Sequence, residues 1–196
     1  MTGANEPDHQ HPRAAFTTWF TAWCERCQWP IYTFLRGITD DGEQAHDLAQ
    51  ETFLRAWRAA RAGQPPFDTA GDEDGMRRWL FHVAFTLAVS ALRRRRIIQW
   101  LPLAAHVDLP SVATSGSPFE DTIAESQAMR AALAALAPAD AACLLLIVVQ
   151  GFTAAETAQI VGGTAQAVAK RFARAKQRLR AVYAAQNAPI EEGSHP

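Results

Sequence analysis

Cysteine is scarce in this 196-residue chain; there are three, an odd number that argues against a disulfide framework. No apolar run is long enough to cross a bilayer. The longest, 143–149, has the length of a core segment. The opening MTGANEPDHQHPR is polar and holds no apolar stretch, so no secretory leader, a cytoplasmic location and no membrane insertion are expected. Strand-like alternation is also scarce, while alanine is abundant, which points to an all-α fold. There is no nucleophile–base pair, no phosphate-cradling glycine loop and no complete set of metal ligands. Catalytic residues, a metal and a cofactor are therefore not expected. Net charge is nearly absent as well, at −1, so nothing global demands a nucleic-acid partner.

The charges are instead sorted along the chain. Asp40, Asp41, Glu43, Asp47 and Glu51 form an acidic block. Arg93, Arg94, Arg95 and Arg96 form one basic cluster, and the run 170–180 forms another. Separated patches on a near-neutral chain suggest two kinds of partner surface.

The most informative stretch is 151–183, GFTAAETAQIVGGTAQAVAKRFARAKQRLRAVY. Thr153 and Glu156 have the spacing of a capping box. Gly162 and Gly163 then permit the positive φ of a sharp turn. Thr164 is a second N-cap candidate. From Ala165 one long helix is predicted, with Val168, Phe172, Ala175, Leu179 and Val182 on an apolar stripe. Lys170, Arg171, Arg174, Arg178 and Arg180 lie mostly off it. This is the pattern of a helix-turn-helix whose second helix enters the major groove. The alternative is a plain helical hairpin with a solvated basic face.

Along the rest of the chain, 1–12 reads as a polar tail. A helix is expected over 13–28, with Phe16, Trp19, Phe20 and Trp23 on its buried stripe and an interruption at Pro30. Inside it, Trp23-Cys24-Glu25-Arg26-Cys27 has the order of a thioredoxin active site, but no strand precedes it and the turn chemistry is missing. A helix over 40–62 buries Ala45, Leu48, Ala49, Thr52, Phe53, Ala56 and Trp57, leaving Asp47, Gln50, Glu51, Arg55 and Arg58 exposed. The segment 63–75 is a turn-rich acidic loop. A helix over 76–96 carries Trp79, Phe81 and Phe85 beside the arginine cluster, a combination that holds single-stranded bases or simply builds core. Residues 99–119, rich in Pro, Ser and Gly, form a flexible linker. Helices follow over 120–136 and 140–150, and 185–196 is a second tail. The domains expected are thus 13–98 and 120–184.

The segment Ala45-His46-Asp47-Leu48-Ala49-Gln50-Glu51-Thr52-Phe53-Leu54-Arg55-Ala56-Trp57 resembles the core-polymerase-binding helix, in region two, of bacterial sigma factors of the extracytoplasmic-function type. Trp79-Leu80-Phe81-His82-Val83-Ala84 resembles the family's next helix, used in promoter melting. Residues 132–180 resemble region four, which reads the upstream promoter element. His46, Thr86 and Ser90 depart from the family's usual acidic residue, asparagine and aspartate.

The resemblance implies a transcription initiation factor whose partners are core RNA polymerase, promoter duplex, the non-template single strand and, as is common in such families, an anti-sigma factor. Polymerase contacts would fall on Asp47, Gln50, Glu51 and Arg55. DNA contacts would fall on Thr164, Gln166, Lys170, Arg171, Arg174 and Arg178, and on Arg93, Arg94, Arg95 and Arg96. A stand-alone helix-turn-helix regulator and a Cys24/Cys27 redox protein are the competing readings.

Overall fold

The computed structural model describes residues 11–64, 66, 72–100 and 120–186, all within or between helices. The remaining stretches expected above as tails, linker and loop centre (1–10, 65, 67–71, 101–119 and 187–196) lie outside the described residues.

Helix α1 spans His11–Thr39 and does not stop at Pro30. Proline removes one helical hydrogen bond and crowds the preceding turn, at a cost of about 3 kcal/mol. Beyond it, Ile31, Phe34 and Leu35 are each almost fully buried, on the stripe begun by Phe20, Trp23 and Cys27. Burying one such side chain contributes roughly 1.5–3 kcal/mol. Three of them outweigh the proline, so the expected interruption does not occur.

Asp40 turns the chain with φ of 53°, and Arg36 reaches its carboxylate at 3.6 Å. Asp41 then caps α2, Gly42–Arg61, by accepting the Gln44 backbone N–H at 3.0 Å. The α2 face toward the core is mostly alanine (Ala45, Ala49, Ala56, Ala59, Ala60), which lets α1 and α2 lie close. Helix α3, Glu73–Trp100, begins three residues earlier and runs four residues further than its periodicity suggests. It completes a three-helix unit through Met76, Leu80, Phe81, Ala84, Leu87 and Ala88.

The second half comprises α4 (Glu120–Ala134), α5 (Pro138–Leu144), a π-helical turn (Leu145–Val149), α6 (Ala154–Val161) and α7 (Ala165–Gln186). The expected single helix over 140–150 thus changes register at Leu145. The Gln150 N–H donates to the Leu145 carbonyl at 3.0 Å, five residues back. The capping box forms as its spacing predicts: the Glu156 N–H donates to Thr153 Oγ1 at 3.2 Å, and the Thr153 N–H donates to Glu156 Oε2 at 2.9 Å. Gly162 and Gly163 take φ of 83° and 107°, which L-residues with a Cβ rarely adopt.

The two halves do not sit apart. Ala142, Leu145, Leu146, Phe152 and Ile160 of the second half belong to the same apolar cluster as Trp23, Phe34, Leu80 and Phe81 of the first. Among the described residues, no helix is long and apolar enough to cross a membrane.

Candidate functional site

Helix α7 is held by its apolar stripe. Val168 and Ala175 are buried, and Phe172 and Leu179 pack partly under α5 and α4. That fixes its rotation. Gln166, Lys170, Arg174 and Arg178 face solvent, and Arg171 is half-buried. Thr164 caps the helix by accepting the Ala167 N–H at 3.2 Å. Its hydroxyl is therefore engaged in the fold. Arg174 is also partly committed: its Nη2 meets Oδ1 of Asp140, a buried residue in α5, at 3.4 Å.

On α2, Asp47, Gln50 and Arg55 are exposed and Glu51 is partly so, in one row. The row is internally paired. Arg55 Nε donates to Glu51 Oε1 at 2.8 Å, and the Gln50 amide donates to His46 Nε2 at 2.9 Å. Beside the row, α1 and α2 flank an apolar groove of about 910 Å³ whose lining includes Trp29, Tyr32, His46, Gln50, Phe53 and Leu54. Trp29 is 70% exposed and Leu54 41%, large apolar surfaces left uncovered by the described residues.

The third surface is the side of α3 that meets the second half. Of Trp79, Phe81 and Phe85, Phe81 is core, edge-on to Phe34 and to Phe152 at 5.2 Å each, and Phe85 packs partly against the same cluster. Neither is free to stack on a base. Trp79 also packs partly against that cluster, and it lines a small cavity, about 340 Å³, with Arg78, His82, Pro66 and Gln159. Arg77 stacks on Phe152 at 4.1 Å and donates to the Gln150 carbonyl at 2.6 Å. His82 Nδ1 donates to the Ile160 carbonyl at 2.7 Å. Arg78 meets Glu156 at 3.4 Å. Arg93, Arg94, Arg95 and Arg96, on the last turns of α3, are all exposed.

Cys24 and Cys27 lie one turn apart on α1 and are not bridged to each other. Cys27 is buried, and burial pushes the Cys24 thiol up to about 12, with the neighbouring Cys27 adding to the shift. A thiol in that state supplies almost no thiolate at neutral pH.

A sequence model of sigma-70 region 2 matches residues 24–97, and one of sigma-70 region 4 matches residues 126–179. The first segment runs from the middle of α1 to near the end of α3, and the second from within α4 into α7, in the family's order. The chain belongs to the sigma-70 family.

Its relatives include the ECF RNA polymerase sigma factor SigG of Mycobacterium tuberculosis, 30% identical over 172 residues, which span 74% of this chain and 43% of that protein. The probable RNA polymerase sigma factor RfaY of Xanthomonas campestris is 31% identical over 158 residues, 79% of this chain and 38% of that protein. The ECF RNA polymerase sigma factor SigE of Mycolicibacterium smegmatis is 26% identical, over 76% of this chain and 56% of that protein. The chain spans about two-fifths of the length of the first two. The sigma factor RpoE of Bartonella quintana, solved in complex with the anti-sigma factor NepR, shares the fold with a TM-score of 0.57 at 20% identity, covering 88% of this chain and 96% of that one.

Within this sigma-70 chain the residues singled out for polymerase contact and those of α7 lie on different elements, on separate halves. Trp29 and Leu54 are the apolar surfaces that a search for charged residues passes over. Their signal in the sequence is position: Trp29 lies off the stripe of Phe20, Trp23 and Cys27, and Leu54 lies off that of Leu48, Thr52 and Ala56.

Proposed function

We propose that this chain binds core RNA polymerase and directs promoter-specific initiation of transcription, the polymerase docking on region 2 and the promoter on both regions. The observation that carries this reading is the paired match to sigma-70 regions 2 and 4, in order, on a three-helix unit and a helix-turn-helix with an exposed basic helix. Polymerase docks on the groove between α1 and α2, with Trp29 and Leu54 as apolar anchors and Asp47, Gln50, Glu51 and Arg55 as the polar rim. Helix α7 enters the major groove upstream. Gln166 and Lys170 read base edges near its N-terminus, while Arg171 and Arg178 hold phosphates. Arg93, Arg94, Arg95 and Arg96 meet the backbone of the downstream element and the non-template strand.

In functional terms, 13–98 acts as region 2, 99–119 as linker and 120–184 as region 4, with tails at 1–12 and 185–196. The protein acts in the cytoplasm as a binding factor without catalysis of its own. An anti-sigma factor is a further partner, by extension from the complex of RpoE with NepR.

Run-off transcription with purified core enzyme and a library of upstream elements tests the reading. Specific transcripts that require this chain are expected. A chain that binds promoter duplex but neither co-purifies with core enzyme nor yields transcripts would instead be a stand-alone regulator.

A further inference from the structure

A half-open recess of about 460 Å³ lies between the C-terminal turns of α1 and α3 and the start of α5. Its charged wall carries Arg93, Arg95 and Arg96. None of the three has an ion-pair partner among the described residues. Asp40 is the carboxylate on the wall, and it is already bridged to Arg36. The linker that leaves α3 a few residues later, 101–119, contains a single carboxylate, Asp108. Three arginines thus line one recess, with Asp40 the one carboxylate among its described lining residues.

Leu92, Leu136 and Pro138 give the recess apolar lining, the last two from the second half. Guanidinium forks match phosphate oxygens in pairs, better than any other side chain. An apolar wall accepts the face of a flat ring. The volume lies within the range of small-molecule sites, about 300–1,000 Å³.

We propose that this cavity binds a nucleoside di- or triphosphate, its phosphates on Arg93, Arg95 and Arg96 and its base against Leu92, Leu136 and Pro138. Because both halves supply walls, the ligand binds the closed arrangement in preference to an opened one and shifts the population toward it.

Calorimetric titration of the full chain with ATP, GTP and pyrophosphate tests the site, and needs neither polymerase nor promoter. ATP or GTP is expected to bind at least tenfold tighter than pyrophosphate. Arg93→Ala with Arg96→Ala should weaken that binding tenfold or more and abolish the rise in Tm that the nucleotide produces. The exposed arginines Arg58 and Arg180 lie outside the cavity, and replacing both with alanine should leave the affinity unchanged. Equal loss in both double variants would overturn the proposal, as would pyrophosphate binding as tightly as ATP and GTP. A twenty-nucleotide single strand that binds through the same arginines while neither nucleotide binds would overturn it too, assigning the cluster to nucleic acid alone.

Discussion

Glu156 serves two partners at once: Oε2 caps α6 by accepting the Thr153 N–H at 2.9 Å, while Oε1 meets Arg78 of α3 at 3.4 Å. One carboxylate thus ties the start of the helix-turn-helix to the other half. The hydrogen bonds from Thr153, with the Arg78 guanidinium behind them, hold it below the usual glutamate range. The ionised form is favoured by folding. Its contribution is full above the ordinary glutamate pKa, about 4.3, and is lost as pH falls through the folded value. Glu156→Gln should cost roughly 0.3–1.5 kcal/mol at pH 7, the range for a helix-capping element. Thermal melts at pH 7 and pH 3 check it: the gap between variant and wild type should narrow at the lower pH.

Phe152 is the apolar counterpart of that tie. It is buried against Phe81 and under Arg77. Phe152→Ala should cost about 3–5 kcal/mol, the usual range for removing a buried phenylalanine. Small-angle scattering should show a larger radius of gyration as the halves part. Loss of stability with no change in size would mean that the other clasps suffice to keep the halves closed.

Polymerase docking should divide into two kinds of contact. Trp29→Ala with Leu54→Ala removes exposed apolar anchors and should weaken core binding to a similar degree at low and high salt. Asp47→Arg with Glu51→Arg reverses rim charges and should act mainly at low salt. Affinities of both double variants at two ionic strengths decide between an apolar and an electrostatic dock.

Helix α7 should give three mutant signatures. Gln166→Ala or Lys170→Ala should relax preference at individual upstream base pairs, at about 1–3 kcal/mol for a bidentate contact. Arg178→Ala should weaken all upstream sequences alike and lower the salt slope by about one. Arg174→Ala should also lower Tm, because it leaves the buried Asp140 carboxylate without its ion-pair partner. Binding to an upstream library and a melt of each variant separate these outcomes.

Cys24 should react slowly with iodoacetamide. With its thiol pushed up to about 12, thiolate is about a thousandfold rarer than in an ordinary cysteine near pH 8. The same shift makes alkaline pH destabilising, since the unfolded thiol ionises near 8.5 and the folded one does not. Labelling rates in native and denaturant-unfolded protein provide the measurement.

What the sequence made legible was local. Thr153 and Glu156 lie three residues apart, so their reciprocal bonds follow from spacing alone. Gly162 and Gly163 announce the turn, and the α7 stripe predicts both its buried face and the exposure of Lys170 and Arg178. What it hid was remote or competitive. Pro30 looks like a stop, and only the burial of Ile31, Phe34 and Leu35 against other helices shows why it is not. Arg174 looks like any other basic residue of α7, because Asp140 belongs to a different helix. The apolar faces of α3 and of 152–160 were visible, yet periodicity cannot say that they pack on each other. Base stacking and core stayed open as readings of Phe81 for that reason, and the packing decides for core.

Phe152 and Ile160 are carried by the second half but complete the core of the first. The two regions are therefore not interchangeable parts. A chimaera that grafts region 4 of a relative onto this region 2 inherits a foreign contact surface against Phe81, Arg77 and His82, whatever its affinity for DNA. Exchange should succeed only when the donor brings an aromatic at 152 and a carboxylate at 156, and specificity in this lineage should drift through the exposed face of α7 before it moves by trading whole regions.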